Sequence, residues 1–478
     1  MATGEQLKKI IADTLSPYAD TRRTGTFHFR WFSILSVCQI FEISHSKCTL
    51  ILFFTGFVLY GTCTAEEHLK AAQRTQGHCL EVLKLVASND GAGDMAIRQA
   101  AAVHFKNTIK KGWGGVHADD HDTQGIILSQ TDRDTIKSHL VQLMCTVPPQ
   151  IQAQLSESIS LIAAVDYPNH WQNLLPELVQ QFNSPDPAVV VGVLKTANSI
   201  FKRFRYVERS DELYRVILFT LEGIQQPLLA LFKSLGQAVA SLANDPVQLK
   251  PRFEALRLIC RIFYSLNYQD LPEFFEDHID EWMKDFSMYL QYQNPVLTDA
   301  DEETEPSPID SLQAAIIANL DLYGSKDEEP FIPYLPEFTK LVWNLLMTVT
   351  AYPKHDTLAT ASIRFLSSLV EKEMHKHLFQ EEATLHEIVG KIVIPNLLFR
   401  ESDEERFEDD PREFIVTEVE GSDSGTRRKC SQDLLRAMCR QFEGPTTAIC
   451  SEHVGKMLAE FAADPNGKWV AKDAAVSF

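Results

Sequence analysis

From residue 65 onward apolar side chains recur every three or four positions, and no stretch alternates as a strand would. In "WQNLLPELVQQF" the apolar positions are Trp171, Leu174, Leu175, Leu178, Val179 and Phe182, which fall on one helix face. In "VVVGVLKTANSIFKRF" the stripe is Val190, Val193, Leu194, Ala197, Phe201 and Phe204, with Lys195, Lys202, Arg203 and Arg205 largely off it. The segment "DELYRVILFTLEGIQQPLLALFKSLGQAVASLA" predicts long helix broken near Pro227, where a backbone donor is lost. Further helices are predicted around 248–266, 271–291, 309–323, 333–350, 354–371, 383–399, 427–442 and 447–462.

The connections are short and carry Pro, Asp, Asn or Gly: "DYPNH", "NSPDP", "NYQDLP", "KDEEPFIP", "FEGP". In the first, Pro168 stops the preceding helix, and Asp166 or Asn169 is placed to cap the next. Amphipathic helices joined by short turns predict an all-α chain. The expected architecture is an α-solenoid of helix pairs of the HEAT or armadillo kind, about 40 residues per repeat. A large irregular bundle, or several small ones, is the alternative.

The N-terminal region departs from this. Residues 1–23 read as one amphipathic helix, but from Cys48 to Ala65 no side chain is charged. That run sits at the short edge of a bilayer span, where about 20 apolar residues are typical. Only Lys47 precedes it, and Glu66 and Glu67 follow. Thr64-x-x-Glu67 is a capping box, so a new helix is expected to start just after Thr64.

Composition narrows the function. The 478 residues carry 65 acids against 45 bases, a formal charge of −20. Such a surface disfavours nucleic acid and suits a basic protein partner. The nine scattered cysteines, without a C-x-x-C pair, read as reduced thiols of a cytosolic or nuclear protein. No phosphate-binding loop, dinucleotide fingerprint or H-E-x-x-H is present. "HADDHD" at 117–122 has ligand-type residues but reads as a solvated loop without the outer shell a metal site needs. His375 and His377 read as helix-surface residues, and His45 with Cys48 lacks a second ligand pair. No catalytic residue, metal or cofactor is expected. A binding protein is, since a solenoid offers an extended surface to another macromolecule. Two acidic stretches, 299–308 and 401–413, are expected to be solvated loops. Glu302, Glu303, Glu404, Glu405, Asp409 and Asp410 are candidates for steering a basic partner.

Three stretches go beyond a generic solenoid: "IRQAAAVHFKNTIKKGW" (97–113), "SESISLIAAVDYPNHWQNLLPEL" (156–178) and "IFYSLNYQDLPEFFEDHIDEWM" (262–283). The first two resemble the N-terminal signature of the importin-β superfamily. The third, with "EGSDSGTRRK" (420–429) and "FEGPTTAI" (442–449), resembles the CAS-type exportins, the branch that returns importin-α to the cytoplasm. The resemblance implies a HEAT superhelix that binds Ran-GTP at its N-terminal repeats, grips importin-α, meets nucleoporins, and shuttles between nucleus and cytoplasm. It implies no enzyme, no nucleic acid and no stable membrane insertion. Lys106, Asn107, Lys110, Lys111 and Asp166 are the candidate Ran-binding residues it suggests. It divides the chain into a first helix at 1–23, an insert at 24–64, N-terminal repeats at 65–298, the acidic loop 299–308, and further repeats at 309–478. The family runs directly from a residue pair like Arg22-Arg23 into the helix at Ala65, so 24–64 is expected to be a retained intron or a misassigned exon rather than an anchor. Family members are about twice as long, so the C-terminal arch is expected to be missing after "KWVAKDAAVSF". "FIVTEV" at 414–419 departs from the basic residues the family carries there. A HEAT scaffold without Ran dependence and a membrane-anchored protein are the other two readings.

Overall fold

A computed structural model describes residues 7, 8, 11, 69, 71–88, 95–114, 128–298, 305–326, 328–418 and 425–478. The insert 24–64, the Thr64 capping box, the 117–122 loop, and Glu302 and Glu303 lie outside the described residues. Among the described residues every regular element is a helix. The chain divides into two compact units: residues up to Ile200 with Glu222–Ile224, and Phe201–Leu221 with Gln225–Phe478.

The first unit holds α1 (His78–Ala87), α2 (Met95–Gly112), α3 (Gln130–Thr146), α4 (Pro149–Asp166), α5 (Leu174–Gln180) and α6 (Pro187–Phe201, its last residue in the second unit). The helices stack in two layers, with α1, α3 and α5 in one and α2, α4 and α6 in the other. The predicted stripes are what the layers bury: Leu174, Leu175, Leu178 and Phe182, then Val193, Leu194 and Ala197, are at most 5% exposed. Leu7 and Ile11, one helical turn apart, are both buried, as an amphipathic first helix requires. Ser129 caps α3 in a reciprocal box with Asp132, whose carboxylate also accepts from the amide of Gly77 at 3.3 Å. Gly77 sits at φ 80°, a left-handed conformation that costs glycine nothing.

α7 (Asp211–Ser241), in the second unit except for Glu222–Ile224, is unbroken. This corrects the expected stop at Pro227. The proline costs about 3 kcal/mol of helix. Leu228 and Phe232 beside it are buried to 1% or less, and each such side chain returns about 1.5–3 kcal/mol. There follow α8 (Pro246–Asn267), α9 (Glu273–Asp277), α10 (Ile279–Leu290), α11 (Pro308–Lys326), α12 (Leu335–Thr348), α13 (Asp356–Val370), α14 (Glu382–Glu387), a π-helical turn (Ile388–Val393) and α15 (Ile394–Leu397). The last are α16 (Glu401–Asp409), α17 (Pro411–Glu418), α18 (Arg427–Gln441), α19 (Glu443–Ala463) and α20 (Trp469–Ser477). One layer of this unit is the row α8, α11, α13, α18; α10 and α12 neighbour each other in the other. Phe232, Phe263, Phe275, Trp282 and Phe286 form its aromatic centre, with ring centroids as close as 4.8 Å.

The motif "SLNYQDLPEFFEDHIDEWM" owes its polar residues to this packing. Tyr323 on α11 donates to Asn267 at 2.9 Å, and Gln269 donates to the Phe204 carbonyl at 2.7 Å. Lys326 donates to the carbonyls of Asn267, Tyr268 and Gln269 at the end of α8, where the helix dipole favours a cation. Asn267 and Gln269 therefore join successive repeats.

Residues 401–413, expected as a mobile acidic loop, are helical in α16 and on into α17. Asp403 is buried and held by Arg400 at 2.9 Å, while Arg400 also pairs with Asp356 at 2.7 Å. Arg427 reaches Asp356 at 2.6 Å from α18. Like-charge repulsion along the run is overcome because its inward carboxylate has an arginine and the rest face solvent. His375, expected on a helix surface, is 3% exposed inside a short 3₁₀ turn, Glu373–Leu378.

Candidate functional site

The buried face of α2 carries Ala101, Ala102, Phe105, Thr108 and Ile109. At 100° per residue the opposite face gathers Val103, Lys106, Asn107, Lys110 and Lys111 within an arc of about 140°. Asn107, Lys110 and Lys111 are exposed. Lys106 is half-buried and pairs with Glu157 of α4 at 3.2 Å. Val103 is 36% exposed among these bases. Val103 adds a single apolar contact point to this basic face. The sequence reading missed Val103; its position on the helical wheel was the signal.

Asp166 does not belong to this face. Its side chain is buried, and its carboxylate accepts from the Trp113 indole N–H at 3.2 Å and from Lys137 Nζ at 3.1 Å. Lys137 also donates to the His170 carbonyl at 2.8 Å. Arg133 stacks over Trp113, 4.8 Å from its ring, and donates to the Trp113 carbonyl at 2.8 Å. Asp166 therefore fixes the ends of α2 and α4 against α3, and it leaves the set of candidate contacts. Nor does it, or Asn169, cap the next helix: α5 starts at Leu174 without a side-chain cap. Trp171 is buried ahead of α5.

The second charged surface is α16. Glu404, Glu405 and Asp409, with Asp410 just past its end, are all exposed; the exposed Arg406 stands among them, and the surface is acidic on balance. Among the described residues no group of three or more His, Cys, Asp or Glu side chains has metal-binding geometry. In each unit, taken by itself, the geometry is that of a contact surface on packed helices.

Comparison with known proteins places the stack. The family model for Cse1 matches residues 200–478, more than half of the chain. The chain belongs to the Cse1 family. The importin-β N-terminal domain matches residues 65–146, the part that contains α2. Exportin-2 of Pagrus major and of Homo sapiens are each 42% identical over 412 residues, which is 86% of this chain and 42% of theirs. The chain thus spans about two fifths of the length of the curated relatives it matches. A solved structure of the exportin Cse1 in its cargo-free, cytoplasmic state superposes with a TM-score of 0.81 at 34% identity, over 87% of this chain and 44% of that one. Importin-β, at TM-score 0.54 and 16% identity, shares the fold. The Cse1 family is one of transport receptors within the importin-β superfamily, built as helical solenoids, and not of enzymes.

Proposed function

We propose that this chain acts in nuclear export: it binds Ran-GTP through the basic face of α2, binds importin-α, and passes the pore on nucleoporins as it shuttles between nucleus and cytoplasm. The observation that carries the reading is the 42% identity to Exportin-2 together with the Cse1-like fold. The α2 face supports the site. Lys110 and Lys111 project from a helix whose other side is locked into the core, so their positions are fixed before a partner arrives. Lys110→Glu with Lys111→Glu tests it. Capture of Ran-GTP should fall at least tenfold while the melting temperature stays unchanged, since exposed substitutions usually cost within about 0.5 kcal/mol. Unchanged capture would exclude this face.

The exposed acids of α16 are assigned to steering. Exposed charges act over about 8 Å at physiological salt, so they govern encounter more than the docked state. Replacing Glu404, Glu405, Asp409 and Asp410 by their amides should slow association with importin-α and leave dissociation nearly unchanged. Stopped-flow rates across a salt series check it; an on-rate equal to the parent's at every salt removes the role.

A further inference from the structure

The second unit carries a cavity of about 510 Å³ on the row α8, α11 and α13. Its floor is small side chains of α11 and α13, including Ala314, Ala318 and Ala361. Its walls hold four guanidiniums, Arg205, Arg257, Arg261 and Arg364, and one carboxylate, Asp321. Glu254 holds Arg257 in a fork at 2.7 and 2.9 Å, so four cations face two anions. That is a local excess of positive charge on a chain whose net charge is −20.

The cations are built in. Arg205 donates to Ser265 at 3.0 and 2.7 Å and to the Arg261 carbonyl at 3.0 Å, and its guanidinium stacks 4.5 Å from the Tyr264 ring. Burial pulls both Arg205 and Arg261 below the ordinary arginine range; Tyr264 opposes this at Arg205, while Arg261 adds to it there and Arg257 adds to it at Arg261. The folded state thus keeps crowded, partly desolvated cations that an incoming anion would relieve.

We propose that this groove binds an extended acidic peptide segment of a partner protein. Neighbouring helix axes lie about 8–10 Å apart, so three helices span roughly 20 Å. At about 3.3 Å per residue that accommodates about six residues, too long a track for a single small anion. Guanidinium forks match carboxylates geometrically. A nucleic acid fits less well: the acidic chain repels a polyanion, and the Tyr264 face that a base would stack on carries Arg205.

Fluorescence anisotropy on the 478-residue chain tests this. The probes are a labelled peptide of alternating Glu and Ser, the same peptide with Gln for Glu, and an oligothymidylate of equal charge. The Glu peptide should bind, and more weakly as salt rises; the Gln peptide should not bind. Arg261→Gln with Arg364→Gln should weaken binding by about tenfold, and Arg261→Lys with Arg364→Lys should fall between, because charge is kept but the fork is lost. Circular dichroism melts establish that the variants are folded. Equal binding of the Gln peptide, an unchanged affinity in the folded Gln variant, or tighter binding of the oligothymidylate would each overturn the proposal.

Discussion

Replacing Asp166 by alanine is expected to destabilise the first unit by about 3–5 kcal/mol, the usual cost of removing one partner of a buried ion pair. Lys137 would lose its buried carboxylate at 3.1 Å, keeping only the exposed Asp134 at 3.5 Å, and Trp113 would lose its acceptor at 3.2 Å. Asp166→Asn keeps an acceptor for Trp113 and should cost less. The pair Lys106–Glu157 is the internal contrast. Its distance is a similar 3.2 Å, but the Glu157 side chain is 54% exposed, so Glu157→Ala should cost under about 1 kcal/mol. Denaturant melts followed by tryptophan fluorescence, with hydrogen exchange on α2, α3 and α4, read these differences. An Asp166→Ala variant within about 1 kcal/mol of the parent would mean that the network does not hold the unit together.

The first unit should also lose stability in mild acid. His78 and His104 approach to 3.0 Å through their Nε2 atoms, rings edge to face. One nitrogen donates and the other accepts, so at least the accepting ring is neutral. Burial pulls the pKa of each down to about 4, and for His104 the neighbouring His78 adds to it. An unfolded histidine titrates near 6.5. Between these values only the unfolded chain takes up the protons. The native state is therefore unaffected above about pH 6.5, weakens as the pH falls toward 4, and levels off below. The slope is about 1.4 kcal/mol per pH unit for each histidine. Because carboxylates also respond to acid, the measured quantity is the difference in pH profile between the parent and His78→Gln with His104→Gln. The double variant should be flatter between pH 6.5 and 4. Parallel profiles would contradict the role given to the pair.

Much of this architecture was legible in local pattern. Val193, Leu194 and Ala197 recur at helical spacing, and the core is made of them. What the sequence concealed was settled by neighbours distant along the chain. Pro227 reads as a break until the burial of Leu228 and Phe232 is known. The run from Glu401 reads as a loop because its anchor, Asp356, lies more than forty residues earlier. Asp166 stands just before Tyr-Pro, where a capping residue would, and nothing local reveals that Trp113 and Lys137 take its oxygens. Lys106, Asn107, Lys110 and Lys111 could be proposed together because one short stretch of a single helix carries them. Arg205, Arg257, Arg261 and Arg364 were not gathered, because three segments distant along the chain supply them.

We propose that this chain distinguishes Ran by its nucleotide state. Titration calorimetry of the 478-residue chain with Ran loaded with a non-hydrolysable GTP analogue, and separately with GDP, tests it most directly. The account predicts heat of binding with the GTP form, its loss when Lys110 and Lys111 are both glutamate, and none with the GDP form. Equal binding of the two forms, or binding of neither, would contradict it and leave a solenoid that holds partners without Ran.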